Sequence, residues 1–452
     1  MLFSEDQMDQ SRRDADAMAE GPAAREEAEN VVQAVGRHDR SGSDRDRPLY
    51  RNIVSQFVMQ GVKYVLPLIL VPYLTRILAP EGYAVYSYVL SFMAFAQIAI
   101  DFGFNLSGAK RIVACRASST GFDDVVGAIT QARLILIAIC EIIFIVISLN
   151  IKILSDNLLY VQFAYIAVAL KGLMPDFVFQ GMEDMTPITT RYVISKGIST
   201  ALTFVVVRSA DDLLWIPVLD ILSSVIALAW SALSMHGKFG IGMRRASLPV
   251  TWGYFKESAI YFVSNAAAIL LSGFSTIVIG IIATDPADIA FWSLSITILS
   301  AIQALYSPIM DSLYPHMING FDAGLISKFV RLAIPSVTAG TLLFVVLARP
   351  IILVAGGPGY LGSVDALRLL SPVLFFSFFG KLYGWPVLGA LGYVKELTMS
   401  TFITAGFNII AVIVMLMTGN TSIMVFCIVR DITEVLMFLL RYASCRKHVR
   451  AK

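Results

Sequence analysis

Residues 56–105, QFVMQGVKYVLPLILVPYLTRILAPEGYAVYSYVLSFMAFAQIAIDFGFN, read as one membrane helix, a tight polar turn and a second membrane helix. Lys63 lies inside the first apolar run, Arg76 and Pro80-Glu81-Gly82 mark the turn, and Asp101-Phe102-Gly103-Phe104-Asn105 closes the second. A cation at the centre of an apolar span costs about 2.5–3.5 kcal/mol on insertion scales, so Lys63 is expected to face a wet or paired interior rather than lipid. Gln56, Gln60 and Lys63 recur at helical spacing and give that helix a polar stripe.

Outward from this hairpin the chain keeps the same character. Of 452 residues, 57% are hydrophobic and 15% charged, with a mean hydropathy of +0.72. A soluble domain carries about 25% charge, so the chain reads as an all-α polytopic membrane protein. A bilayer core about 30 Å thick takes about 20 apolar residues per helix, and about twelve such runs fit between Ile53 and Tyr442. They fall at roughly 53–74, 83–101, 128–149, 158–175, 192–208, 213–235, 258–283, 289–311, 332–354, 366–390, 397–418 and 422–443.

Charge placement orients these spans. Connections on one side hold Lys110, Arg111, Arg116, Arg191, Lys196, Lys238, Arg244, Arg245, Lys256, Lys328, Arg331 and Lys395, and the C-terminal tail adds more. The opposite connections hold only Arg76, Lys152, Arg208, Arg349 and Arg368. The positive-inside rule then puts both termini in the cytoplasm with an even number of spans. Cys115, Cys140, Cys427 and Cys445 fall in cytoplasmic or membrane positions, where a disulfide is not expected, and no metal-ligand spacing links them. A formal net charge of +2 gives no reason to expect a nucleic-acid partner.

Residues 1–48 are rich in Asp, Glu, Arg, Ser and Gly and are expected to form a disordered cytoplasmic tail, with a short amphipathic helix from Glu26 to Val35 as an alternative within it. An N-terminal lobe at 49–235, a basic linker at 236–257, a C-terminal lobe at 258–443 and a basic tail at 444–452 follow. A weak repeat relates the lobes. Pro80-Glu81-Gly82-Tyr83-Ala84-Val85-Tyr86-Ser87 and Pro286-Ala287-Asp288-Ile289-Ala290-Phe291-Trp292-Ser293 share the pattern Pro-x-x-x-Ala-x-aromatic-Ser, and each opens a span that ends at an Asp. Parallel repeats of this kind place a substrate site between the lobes. No outer connection is long enough to fold into a domain, which argues against an enzyme that builds sugars on the far side. No phosphate-binding loop pattern is present, and Gly356-Gly357-Pro358-Gly359-Tyr360 reads as a turn.

The charges within spans are the candidate site. Lys63, Arg133, Glu141 and Lys381 are the ones expected to line a central water-filled cavity, with Arg133 and Glu141 about two turns apart on one helix face. A cavity with more Lys and Arg than acid attracts anionic cargo, because low-dielectric walls focus the field. Lys171 and Arg76 complete the cationic set, although Lys171 lies near a span end and Arg76 can equally anchor the turn. Glu141, Asp220, Asp101, Asp311 and Glu434 are the candidates for carrying a coupling ion, and Glu434 can also pair with Arg430 along its own helix.

Four segments resemble one family. Leu66-Pro67-Leu68-Ile69-Leu70-Val71-Pro72-Tyr73-Leu74-Thr75-Arg76-Ile77-Leu78-Ala79-Pro80-Glu81-Gly82-Tyr83 is similar to the opening of the Wzx-type polysaccharide-export flippases of the MOP exporter superfamily. Phe102-Gly103-Phe104-Asn105-Leu106-Ser107-Gly108-Ala109-Lys110-Arg111, Asp176-Phe177-Val178-Phe179-Gln180-Gly181-Met182-Glu183-Asp184-Met185 and Tyr314-Pro315-His316 resemble their later signatures. The resemblance runs from about Arg51 to Ile318 and is looser beyond. It departs from the family at Asp176, where an aromatic is usual, and in the acidic N-terminal tail.

That resemblance implies two six-helix bundles with pseudo-two-fold symmetry around a central cavity in the bacterial inner membrane. It implies an undecaprenyl-pyrophosphate-linked oligosaccharide as cargo, moved from the cytoplasmic to the periplasmic leaflet for O-antigen, capsule or exopolysaccharide synthesis. An ion gradient would drive the cycle without a cofactor, and a polysaccharide polymerase and chain-length regulator would be partners besides membrane lipid. Spans one and seven are the expected gate helices, with Pro67 and Pro72 loosening the first. The alternative is a drug or cation antiporter of the same superfamily, which the excess of Lys and Arg disfavours.

Overall fold

The computed structural model describes residues 22–118 and 120–449, so the first part of the tail expected at 1–48 lies outside the described residues. Helix α1 spans Pro22–Asp101 and breaks at Ala79 (φ 53°, ψ 176°), where two helices meet. The cause is local. Pro80 disfavours helical geometry at the residue before it, and the chain turns there. The helix passes through Pro67 and Pro72 with Ala79 as its non-helical residue. Phe102 and Gly103, both at positive φ, then turn the chain into α2 (Phe104–Ser118). A Cβ on Gly103 would lie 2.5 Å from that of Tyr261, so only glycine fits this turn and its neighbour.

The first half continues through α3 (Phe122–Asn150), α4 (Leu158–Gly172), the short α5 (Asp176–Gly181), α6 (Thr186–Val206) and α7 (Trp215–Phe239). The second half holds α8 (Leu248–Ile282), α9 (Pro286–Ala304), α10 (Ser307–Asn319), α11 (Ala323–Ala355), α12 (Ser363–Leu369), α13 (Pro372–Leu382), α14 (Val394–Met417) and α15 (Ile423–Val449). The non-helical link between halves is shorter than the expected linker. It is strapped to the start of α3, where Asp123 accepts from the Gly242 amide at 2.8 Å and its carbonyl accepts from the Arg244 amide at 3.1 Å.

Among the described residues, seven helical stretches are long and apolar enough to cross a membrane, or eight with the bent pair Ser363–Leu369 and Pro372–Gly389. One of them, Val58–Arg116, contains both arms of the opening hairpin. Helices α6, α8 and α15 occupy the places of the fifth, seventh and last expected spans and, at 21, 35 and 27 residues, are long enough to cross. The layout is consistent with about twelve spans. The chain is an all-α, multi-pass membrane protein.

The repeated octets start helices in both halves and bury matching positions: Ala84 and Ala290 are both 0% exposed, and Ser87 and Ser293 both 6%. At the Ala79 end the halves share one apolar core, in which Leu74, Tyr83 and Tyr88 pack with Leu294, Ile352 and Tyr360. Polar contacts reinforce it. Thr75 Oγ1 donates to the Ala355 carbonyl at 2.7 Å, and Tyr360 Oη donates to the Ala79 carbonyl at 3.1 Å. The glycine-rich turn therefore supplies an interhelical tie. Along one flank α8 follows the second arm of α1 closely. Tyr88 Oη donates to the Ile277 carbonyl at 3.1 Å, and a Cβ on Gly280 would sit 2.0 Å from the Tyr88 ring.

The Asp101 end is built differently. There the first half has its own cluster around Phe104, Ile129, Phe177 and Phe179. The second half has separate clusters around Phe378, Phe379 and Leu382 and around Met317, Val387 and Leu388. The contact between halves runs along the α8 flank, through the Phe102–Phe262 ring stack, Ser107–Ser258 at 2.7 Å and the Arg111–Glu257 ion pair at 2.7 Å. The first arm of α1 exposes Val58, Tyr64, Val65, Leu68 and Ile69. The halves share one core at the Ala79 end, and at the Asp101 end they keep distinct clusters that meet along the α8 flank.

Candidate functional site: a cationic cavity in the first half

A cavity of about 530 Å³ lies at the Asp101 end, walled by α1 to α6. Among the described residues its charged lining is Lys63, Arg133, Lys171 and Arg191 against Asp101 and Asp176. Four cations thus face two carboxylates. Lys63 is placed by the first arm of α1 about 24 Å of helix from the Ala79 turn. It is exposed, and its ammonium stands 5.6 Å over the Tyr192 ring.

The arginines are held rigidly. Arg133 is 1% exposed. It donates to the Met174 carbonyl at 2.8 Å, to Asp101 at 3.0 Å and to Asn105 Oδ1 at 3.0 Å. Asn105, one turn after Asp101, donates to both carboxylate oxygens at 2.8 and 2.9 Å. The Phe102-Gly103 turn is what brings Asp101 and Asn105 onto one face toward α3. Arg191 is also buried and donates to Asp176 and to Ser231 Oγ. Breaking such a pair leaves a stranded buried charge, at a cost of about 3–5 kcal/mol.

A second, smaller cavity of about 90 Å³ lies behind Lys171, lined by Tyr86, Tyr160, Lys196, Ser199 and Asp220. Lys171 belongs to both. Asp220 pairs with Lys196 at 2.7 Å and with Lys171 at 3.8 Å.

Of the residues expected at the site, the structure brings Lys63, Arg133, Lys171 and Asp101 together and sets Asp220 behind them. It does not bring the others. Arg76 lies at the Ala79 end and donates to the Pro72 and Val354 carbonyls at 2.6 and 2.7 Å, pinning α11 to α1. Lys381 sits in the second half, donates to the Gln303 carbonyl at 3.1 Å and stands 5.6 Å over Tyr306. Glu141 lies on α3 away from both cavities, with Oε2 buried and unpartnered. Glu434 pairs with Arg430 along α15 at 2.7 Å, and Asp311 is exposed on α10. Among the described residues the lining of the cationic cavity comes from the first half alone, and Lys381 stands over Tyr306 beside an aromatic cluster of the second half.

Three contributors were not expected: Arg191 and Lys196, which read as cytoplasmic connections, and Asp176, which read as a departure from a family pattern. Asp176 opens the short α5 and Arg191 lies early in α6, and an opposite-charge pair across that short connection was the available signal.

The fold is that of MOP-superfamily transporters. The inward-facing conformation of a multidrug resistance MATE family transporter of that superfamily matches 88% of this chain and 98% of its own, at a TM-score of 0.65 and 13% identity. A eukaryotic MATE transporter matches 88% of this chain and 96% of its own, at a TM-score of 0.54 and 14% identity. In sequence, a protein named "Putative O-antigen transporter" from Escherichia coli (strain K12) is 26% identical over 362 residues, covering 77% of this chain and 85% of that one. A protein of the same name from Shigella dysenteriae is 26% identical over 279 residues, covering 60% and 68%. The profile of the family described as "Polysaccharide biosynthesis protein" matches residues 49–321, and the chain belongs to that family.

Proposed function

We propose that this protein is a flippase that moves undecaprenyl-pyrophosphate-linked oligosaccharide repeat units from the cytoplasmic to the periplasmic leaflet of the bacterial inner membrane. The cavity with four cations against two carboxylates carries this reading. A pyrophosphate is a compact multiple anion, and Lys and Arg in a low-dielectric recess are suited to hold it. The O-antigen transporters it resembles supply the cargo class. The cation excess disfavours the drug or cation antiporter.

The cycle is alternating access. The charge asymmetry of the connections supports reading the Asp101 end as cytoplasmic, and on that reading the distinct clusters at that end and the shared core at the Ala79 end support a state open inward. Cargo enters beside the exposed first arm of α1, its headgroup reaching Lys63 and its polyprenyl tail staying in lipid. Closing the Asp101 end and parting the Thr75, Arg76 and Tyr360 ties gives the outward state. An ion gradient drives the return. Asp101, tied to Arg133 in the cavity wall, is the best-placed coupling carboxylate, while Glu141, Asp311 and Glu434 lie off the cavity. A polymerase and chain-length regulator would act on the delivered units.

Deleting the gene tests this. Lipid-linked repeat units are expected to accumulate on the cytoplasmic leaflet while surface polysaccharide disappears, with restoration by the wild-type gene. Unchanged polysaccharide together with altered drug tolerance would instead establish the antiporter.

A further inference from the structure

We propose that Lys171 is an exchangeable cation: a phosphate-bearing headgroup in the large cavity and Asp220 in the small one compete for it, while Lys196 keeps Asp220 paired. This rests on reading the large cavity as the seat of an anionic cargo. Lys171 lines both cavities, whereas Lys196 and Asp220 line only the inner one. The two lysines hold Asp220 unequally. Lys196 donates a hydrogen bond at 2.7 Å, and Lys171 stands at 3.8 Å, beyond hydrogen-bond reach.

Among the described residues the inner cavity's charged lining is these two lysines and one carboxylate. One ammonium neutralises Asp220, so the other is surplus there. Removing the sole partner of a buried charge is expensive. Here a second partner remains, and Lys171 can turn outward without stranding Asp220. The geometry permits the turn. The Lys171 side chain is 37% exposed, and an ammonium on a flexible stem reorients where a guanidinium fork does not. An inner cavity of about 90 Å³ has room for about three waters to take its place beside Asp220. The arginines have no such freedom: Arg133 is fixed by Asp101, Asn105 and Met174, and Arg191 by Asp176 and Ser231.

Affinity for anionic cargo is then set partly by a residue that never touches it, and the expected effects differ in sign. Removing the competitor in Asp220→Asn frees Lys171 and tightens binding. Removing the retained partner in Lys196→Met commits Lys171 to Asp220 and weakens binding. Lys171→Met weakens binding and makes Asp220→Asn silent when the two are combined.

The experiment titrates the purified full-length protein in detergent with farnesyl pyrophosphate, with farnesol as the uncharged control. Asp220→Asn is expected to lower Kd and Lys196→Met to raise it, each by about threefold or more, the scale of one partly exposed ion pair. The double variant with Lys171→Met is expected to match Lys171→Met alone. Folding is checked by size exclusion, and if Asp220→Asn does not fold, the Lys196→Met result decides. Asp220→Asn folded but unchanged or weaker, or Lys196→Met unchanged, overturns the exchange while pyrophosphate preference leaves the cargo reading standing. Wild-type protein that binds farnesol as well as farnesyl pyrophosphate overturns both.

Discussion

Lys63 in the first half and Lys381 in the second each stand 5.6 Å over a tyrosine ring, Tyr192 and Tyr306 respectively. From that common start their surroundings diverge. Lys63 looks into a cavity whose other walls carry Arg133, Lys171 and Arg191. Lys381 instead donates to the Gln303 carbonyl, beside a packed cluster that includes Tyr306, Phe329, Phe375, Phe378 and Phe379. The guanidiniums divide in the same way. Arg133 joins a carboxylate and two other acceptors on a cavity wall. Arg441 spends its donors on Ser400 Oγ, Thr401 Oγ1 and the Gly380 carbonyl, fastening α13 and α14 to α15. A buried cation serves as a binding group where it opens on a shared aqueous space, and as a pin where packing closes around it.

The comparison breaks most readily at Arg133. Arg133→Leu strands Asp101 and removes a cavity wall, so both cargo binding and folding are expected to suffer. The loss of stability should approach about 3–5 kcal/mol, less whatever water at the partly exposed Asp101 recovers. A variant that unfolds in detergent at the wild-type temperature would place Arg133 among the dispensable charges.

Next in size is the contrast between the lysines. Lys63→Ala is expected to cut farnesyl pyrophosphate affinity about tenfold, as for a charge-assisted contact, with little change in thermal stability. Lys381→Ala is expected to leave affinity within about twofold and to lower stability by about 1 kcal/mol for its lost carbonyl bond. Equal losses of affinity in both would erase the distinction between halves.

Smaller still is the effect of salt. Because the cavity is open at Lys63, raising salt from 0.05 to 0.5 M should weaken pyrophosphate binding by about three- to tenfold through screening. Binding insensitive to salt would mean that the cations are sealed off from water.

The hairpin, its turn and the membrane class were legible in the sequence because each has a local cause. An apolar run of sufficient length is stable in lipid only as a helix, and Pro80 bars Ala79 from continuing one. The family motifs were legible for the same reason: Phe102-Gly103 must turn, and Asp101 and Asn105 lie one turn apart. Membership of the cavity was not legible. Lys63 and Lys381 are both lysines partway down apolar spans, and nothing near either one in sequence says which meets water. Arg191 and Lys196 looked like ordinary cytoplasmic cations until α4 to α7 packed and set Asp176 and Asp220 against them.

The linear chain by itself decided how many apolar stretches there are to bury, where they break and which residues carry charge among them. Tertiary structure alone decided which charges meet. Arg133 finds Asp101 across 32 residues and Lys196 finds Asp220 across 24. A side chain's partner is set by how helices lie against one another, whereas helix formation is set within a turn or two. In a medium of low dielectric the choice of partner determines whether a charge anchors, binds or moves.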